Sequence, residues 1–294
     1  MKGLVFGKGW LGNRIADHFD CRMSDNDILD CETVGAELLD FRPDVVFNAA
    51  GKCGSPNIDW CESSETHKRL TMYVNAYAPV VLYHMVEGVA KKLKQPMLLV
   101  HLSSGCLWEW GEDVTEDTEA DPPSYYSLTK IEGERRLPTE KCLVIRLRMP
   151  LSSEPHPRNL ITKVSRYGNV LDTQNSITVI EDMLPALEKL ISQGARGVYN
   201  VVNPGSMSPA ELMLSYKETV DSEHTFDVAT VESLKSSGLI TAGRSNVTLD
   251  TAKLEAMGIK LPPVVERVRE ILREYKERLC EGNGSKAPDN AEAD

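Results

Sequence analysis

Long apolar runs are missing from this 294-residue chain, and with them any segment able to span a bilayer. Positive charge is short too. Against 33 Lys and Arg stand 44 Asp and Glu, a net charge of −11 that argues against nucleic acid or a membrane surface as partner. An anionic ligand must then be held by local N–H groups and a few placed cations. Metal-ligand spacing is absent: the seven cysteines show no paired pattern, and the six histidines form no H-x-x-x-H. No metal is expected. The cysteines are also too scattered for a disulfide framework at this length, so a reducing cytoplasm fits best. Met1–Gly7 runs directly into a strand and a glycine turn, so no leader is expected, and the sequons at Asn246 and Asn283 read as chance matches.

What is present is an alternation of short apolar runs with amphipathic stretches. Residues 2–6, 44–48, 97–102 and 142–147 are nearly continuous in apolar residues, the mark of strands buried on both faces. Residues 13–19, 31–41, 72–93 and 126–137 read as helices between them. Repeated β-α-β units predict an α/β fold, a Rossmann-type doubly wound parallel sheet. After Pro150 the alternation weakens. Helices are expected over 158–167, 180–193, 209–220, 249–257 and 263–279, with one more buried strand at 197–202 and no further sheet of length. The expected division is a dinucleotide-binding domain over 1–155 and 173–205, with a smaller, discontinuous C-terminal substrate lobe over 156–172 and 206–280. Residues 281–294, rich in Gly, Ser, Pro and acid, predict a disordered tail.

Gly7-Lys8-Gly9-Trp10-Leu11-Gly12 is a G-x-G-x-x-G after a predicted strand and before a predicted helix. The first glycine makes the turn and the second admits a pyrophosphate. The third lets helix and strand pack, while the helix N-terminus faces the anion. Past the second strand, Arg22 and Ser24 suit a 2′-phosphate and Asp25 opposes one. NADPH is therefore preferred, with NADH as the alternative. Asn48-Ala49-Ala50-Gly51 follows the third strand, where small residues let adenosine approach.

Tyr126 and Lys130 are four residues apart, so their side chains share one helix face. In that arrangement the lysine lowers the phenol pKa from about 10 and holds the nicotinamide ribose, and the tyrosine protonates a carbonyl oxygen as hydride reaches carbon. Ser104, just past a strand, can orient the same oxygen. Tyr125 lies five residues from Lys130 and loses the shared face. A reductase needs no more than this. Cys106, two residues after Ser104, and Lys163 are of the types that would move a proton on carbon: a thiol as base, an ammonium as acid on the opposite face. On spacing alone, a small buried cysteine and a solvated lysine remain the simpler reading of both.

Several segments together carry a resemblance: Arg42–Gly51, Pro56–Glu62, Ser104–Cys106, Tyr126–Lys130, Arg146–Ser153, Pro157–Lys163 and Arg244–Asn246. Over nearly the whole chain apart from the tail, the sequence resembles the UDP-4-keto-6-deoxyglucose 3,5-epimerase/4-reductases of the extended short-chain dehydrogenase/reductase family. The P-N-I-D-W-C-E and P-R-N-L-I-T-K segments are specific to that branch. The resemblance implies that Ser104, Tyr126 and Lys130 are the reductase set and that Cys106 and Lys163 are the epimerase pair. It also implies cofactor contacts from the glycine turn, Asn48–Ala50 and Met149, and substrate contacts from Asn57, Ser104, Asn159, Lys163 and Arg244. Arg244 suits the diphosphate of a UDP-sugar. Plant members carry Thr where this chain has Ser104; both offer a hydroxyl. The resemblance further implies a 4,6-dehydratase on a separate chain and a homodimer paired through helices such as 72–93 and 126–137. Two rivals remain: a 4-reductase alone, of the dTDP-4-dehydrorhamnose reductase type, and a non-catalytic nucleotide-binding regulatory subunit.

Overall fold

Six parallel strands form the centre of the computed structural model, which describes residues 1–284. They are β1 (Gly3–Phe6), β2 (Arg22–Met23), β3 (Val45–Asn48), β4 (Leu98–Leu102), β5 (Leu143–Arg146) and β6 (Gly197–Asn200), lying side by side as β2-β1-β3-β4-β5-β6. The sequence order reverses between β1 and β3, so the crevice at their carboxyl ends is where such a sheet takes a ligand.

The central strands β1, β3, β4 and β5 are largely apolar on both faces because they feed two cores, whereas the edge strand β2 is not. Leu98, Val100 and Leu102 of β4 join Val5, Phe47 and Ile145 beneath the Trp10–Phe19 and Ile180–Ser192 helices. Leu99 points the other way, joining Leu4, Phe6, Val46 and Val144 beneath the Cys31–Phe41 and Ala78–Leu93 helices. The period-2 alternation of side chains thus turns one continuous apolar run into the floor of two layers. The doubly wound parallel sheet read from the sequence is present.

A third core lies over the carboxyl side. Leu151, Ile161, Val164, Ile177, Met207, Leu212, Val268, Ile271 and Leu272 close it, under the C-terminal helix Val264–Gly284. The structure departs from expectation in several places: the helices expected over 158–167 and 249–257 are only Leu160–Val164 and Ala252–Ala256, and Val231–Ser236 is an additional helix. The helix expected over 72–93 begins earlier, as Glu65–Met72, and passes through a π turn at Tyr73–Tyr77 into Ala78–Leu93. Its first segment shows no apolar stripe, since Thr71 is its one buried residue. The second half also contains short strands: Asn203–Met207 pairs with Asn175–Ile177, Asp227–Ala229 with Asn169–Leu171, and Asn246–Leu249 with Trp110–Val114. These are too short and too polar to announce themselves. Finally, of the tail expected over 281–294, the first four residues continue the last helix, and 285–294 lie outside the described residues.

Candidate active site

The glycine turn closes the carboxyl end of β1. Gly7 has φ +102°, and a Cβ there would stand 2.4 Å from the Ala50 nitrogen. At Gly12 a Cβ would stand 1.9 Å from the Gly7 oxygen, so the fold itself demands both glycines. A Cβ at Gly9 would meet nothing within 4 Å. The space above Gly9 is free, and the Trp10–Phe19 helix starts there with no side chain capping its N–H groups. On the opposite wall Asn48 is buried. Its Oδ1 accepts from the Ala50 N–H at 3.1 Å, while its Nδ2 has no partner. A turn with open space at Gly9, an uncapped helix N-terminus and a spare buried donor fit a pyrophosphate-bridged dinucleotide. Trp10 stacks on His156 at 5.3 Å and Leu11 packs on the core, so these two offer backbone N–H rather than side chains.

Past β2, half-exposed Arg22 sits 3.2 Å from Glu37 with Phe41 beneath it. Ser24 is not free for a phosphate as expected: it is buried and donates to Glu37. Asp25 is not free to repel one either, because it pairs with Lys8, whose hydrogen bond holds its carboxyl below the usual range.

Ser124 caps the Tyr125–Arg136 helix by accepting from the Ser127 N–H, and Gly133 lets the same helix press on the π turn, where a Cβ would meet the Asn75 oxygen at 2.4 Å. The Asn75 amide in turn bonds the Lys52 N–H and C=O, both at 2.8 Å, and Thr129 at 3.0 Å. One side chain therefore ties the loop after β3 to the helix bearing Tyr126 and Lys130. Lys130 is 5% exposed and donates to the Leu102 carbonyl at 3.0 Å. Burial pushes its ammonium down to about 8, with the Cys53, Glu134 and Cys106 side chains pulling the other way. Tyr126 moves up from its ordinary value. Burial is the main cause, Cys106 and Cys53 add to it, and a hydrogen bond with Ser104 opposes it. The expected lowering of this phenol by Lys130 is thus not what the protein alone produces, because burial sets the direction. The phenol keeps its proton, which is the form a proton donor needs.

Below the helix, buried Glu134 pairs with Arg146 and accepts from Ser103 at 2.8 Å. Pairing continues beyond the end of β4: Ser103 N–H donates to Ile145 at 2.8 Å and Gly105 N–H to Leu147 at 2.7 Å. A Cβ on Gly105 would stand 2.7 Å from Leu249, so glycine lets the Ser104–Cys106 segment lie flat. It brings Cys106 beside Arg148, whose Nη1 donates to Sγ at 2.6 Å. Lys163, partly buried on the Leu160–Val164 helix, has its ammonium pushed down by burial; Cys53 and Cys106 oppose this, while Arg158 and Arg244 reinforce it. Cys106 thus bears on Tyr126, Lys130 and Lys163, and Ser104 on Tyr126.

The substrate-binding expectations fare unevenly. Asn159 is corrected. It is wholly buried, accepts from Ile161 N–H at 3.1 Å, and donates to the Ser152 and Glu154 carbonyls, each at 2.7 Å, so it shapes the Lys163 helix and has no atom left for a ligand. Asn57 caps the Ile58–Glu62 turn through Asp59 N–H at 2.8 Å, with part of its surface open. Arg244 is paired with Asp59 at 2.8 Å, which already matches its charge. Met149, at φ +42°, forms a strained turn just past β5.

Three residues were not foreseen. Cys53 acts on Tyr126, Lys130 and Lys163 alike and accepts from Arg158 at 2.8 Å; Arg158 is exposed. Arg148 is 5% exposed. Nothing in the sequence singles it out, because the run that it ends already contains Arg146.

A family profile for the RmlD substrate-binding domain matches residues 8–277. The chain belongs to that family. Among its relatives, the bifunctional dTDP-4-dehydrorhamnose 3,5-epimerase/dTDP-4-dehydrorhamnose reductase of Arabidopsis thaliana is 33% identical over 279 residues, 87% of this chain and 89% of that protein. A trifunctional UDP-glucose 4,6-dehydratase/UDP-4-keto-6-deoxy-D-glucose 3,5-epimerase/UDP-4-keto-L-rhamnose-reductase of the same plant is 32% identical over 94% of this chain. The match there spans 42% of the longer protein. Among solved structures, the UDP-rhamnose synthase of Acanthamoeba polyphaga mimivirus superposes with a TM-score of 0.84 at 25% identity, covering 93% of this chain and 99% of that one. Membership in the RmlD family agrees with the resemblance seen in the motifs.

Proposed function

We propose that the chain converts UDP-4-keto-6-deoxy-D-glucose to UDP-L-rhamnose, as a bifunctional 3,5-epimerase and NADPH-dependent 4-keto reductase. One observation carries this reading: Cys106, a thiol that a reductase does not need, bears on the charge states of Tyr126, Lys130 and Lys163 alike. The relatives named for both activities support it.

In this account Ser104 and Tyr126 hold the C4 oxygen, and their hydroxyls stabilise the negative charge that grows there when a neighbouring C–H is broken. Cys106 takes that proton as base. Lys163, made a readier donor by burial, returns a proton to the opposite face of the carbon. Once Cys106 has lost its proton to solvent and Lys163 has regained one, the same exchange at the second of C3 and C5 inverts both centres. The hydride for C4 would come from a nicotinamide held by the glycine turn. Tyr126 then gives its proton to the oxygen, with Lys130 beside it to hold the ribose. Gly7, Gly9 and Gly12, the N–H groups of Trp10 and Leu11, Asn48–Ala50 and Met149 are the residues that would hold the dinucleotide, and half-exposed Arg22 is the candidate partner for a 2′-phosphate. Arg158, exposed and without a carboxylate partner among the described residues, joins Arg244 and Asn57 as a candidate for the UDP end of the substrate.

Cys106→Ala tests the reading. With UDP-4-keto-6-deoxyglucose and NADPH, rhamnose formation should fall by about 100-fold, while reduction of the already epimerised 4-keto sugar continues. Undiminished rhamnose formation would leave a 4-reductase alone.

A further inference from the structure

Other strongly shielded arginines have a carboxylate: Arg146 has Glu134, Arg244 has Asp59 and Arg267 has Asp182. Arg148 has none among the described residues, although it is 5% exposed. Its Nη2 donates to Ser245 O at 2.5 Å and to Asn175 Oδ1, and its Nη1 to Cys106 Sγ at 2.6 Å. Asn175 and Ser245 offer neutral acceptors. A buried guanidinium with only neutral partners is costly, so a charge-bearing partner is the expected arrangement. The one group touching Arg148 that can become an anion is the sulfur of Cys106.

We propose that Arg148 is the positioning residue and counter-cation of Cys106. It holds the sulfur toward the ligand and stabilises the thiolate, the form that accepts a proton from carbon. The surroundings are built for this. Asn175 fixes the guanidinium and also accepts from Val247 N–H at 3.0 Å; Gly105 leaves room for the Arg148 Cβ, which a Cβ of its own would approach to 3.3 Å. Other charged groups near the sulfur are Lys130 and Lys163, with Tyr126 as the neighbouring titratable group. Arg148 is the one in hydrogen-bond contact. The proposal rests on the epimerase reading for its catalytic consequence, but the Arg–thiolate contact can be tested without it.

The experiment uses the full chain and the variants Arg148→Met and Arg148→Lys, each first checked for NADPH binding as a sign of intact folding. Two rates are compared. One is alkylation of Cys106 by iodoacetamide, followed by peptide mass spectrometry. The other is deuterium uptake into UDP-4-keto-6-deoxyglucose in deuterated water without NADPH. Loss of a hydrogen bond to a charged group predicts that Arg148→Met slows both by about 10- to 100-fold, that Arg148→Lys restores part of each, and that added methylguanidine rescues Arg148→Met. Reduction of the already epimerised sugar should change far less. A well-folded Arg148→Met that alkylates at the wild-type rate overturns the proposal. So does a parallel loss of exchange and reduction without rescue, which marks Arg148 as structural. Should wild type alkylate at Cys106 but exchange no deuterium, the epimerase reading falls while the alkylation comparison still decides the role of Arg148.

Discussion

Lys130→Met should stabilise the free protein near neutral pH and remove its reductase activity. Lys130 is 5% exposed, and burial lowers its ammonium from 10.5 to about 8. The sign follows from linkage. Between about 8 and 10.5 the unfolded chain holds a proton that the folded chain has released, so stability rises with pH across that window, and below it the full penalty stands. A fall from 10.5 to about 8 corresponds to about 3 kcal/mol. The methionine also forfeits the bond to the Leu102 carbonyl, a loss of about 1–2 kcal/mol that does not depend on pH. The variant should thus be more stable by about 1–2 kcal/mol at pH 7 and less stable by a similar amount above pH 10. Lys163 is lowered in both proteins and cancels, as does Tyr126, whose raised phenol acts only at the alkaline end. Urea unfolding at several pH values between 7 and 10.5 measures the difference. A difference that stays flat with pH, or that favours the variant more as pH rises, would refute the reasoning.

Other outcomes follow from the same geometry. Gly9→Ala should fold normally, since its Cβ meets nothing in the protein, yet bind NADPH about tenfold or more weakly in a fluorescence titration. Gly12→Ala should instead lose about 2 kcal/mol or more of stability, because its Cβ would strike the Gly7 oxygen. Glu134→Ala strands buried Arg146 and should cost about 3–5 kcal/mol in urea unfolding, most of it recovered by Glu134→Leu with Arg146→Met.

The sheet was legible in the sequence because a strand buried on both faces is apolar over most of its length, and β1, β3, β4 and β5 are, with Asn48, His101 and Arg146 the polar exceptions. The glycine turn was legible because the backbone admits nothing else at Gly7 and Gly12. Tyr126 and Lys130 followed from helical spacing, whereas Cys106 and Lys163 needed flanking motifs, since their meeting depends on chain segments far apart. Arg148 and Cys53 were invisible for that same reason: what makes them notable is a partner 42 or 105 residues away. Asn159 misled, because a polar residue in a branch-specific motif looks like a ligand contact until its hydrogen bonds are counted. The phenol of Tyr126 misled similarly, since spacing reveals a nearby cation but not the depth of burial.

The central claim is that one site performs proton exchange on carbon and hydride transfer. Incubating the full chain with UDP-4-keto-6-deoxyglucose and NADPH in deuterated water tests it most directly, with the product read by NMR. The account predicts UDP-rhamnose carrying deuterium at both C3 and C5 and protium from the nicotinamide at C4. A reduced sugar without deuterium at C3 and C5 would contradict it.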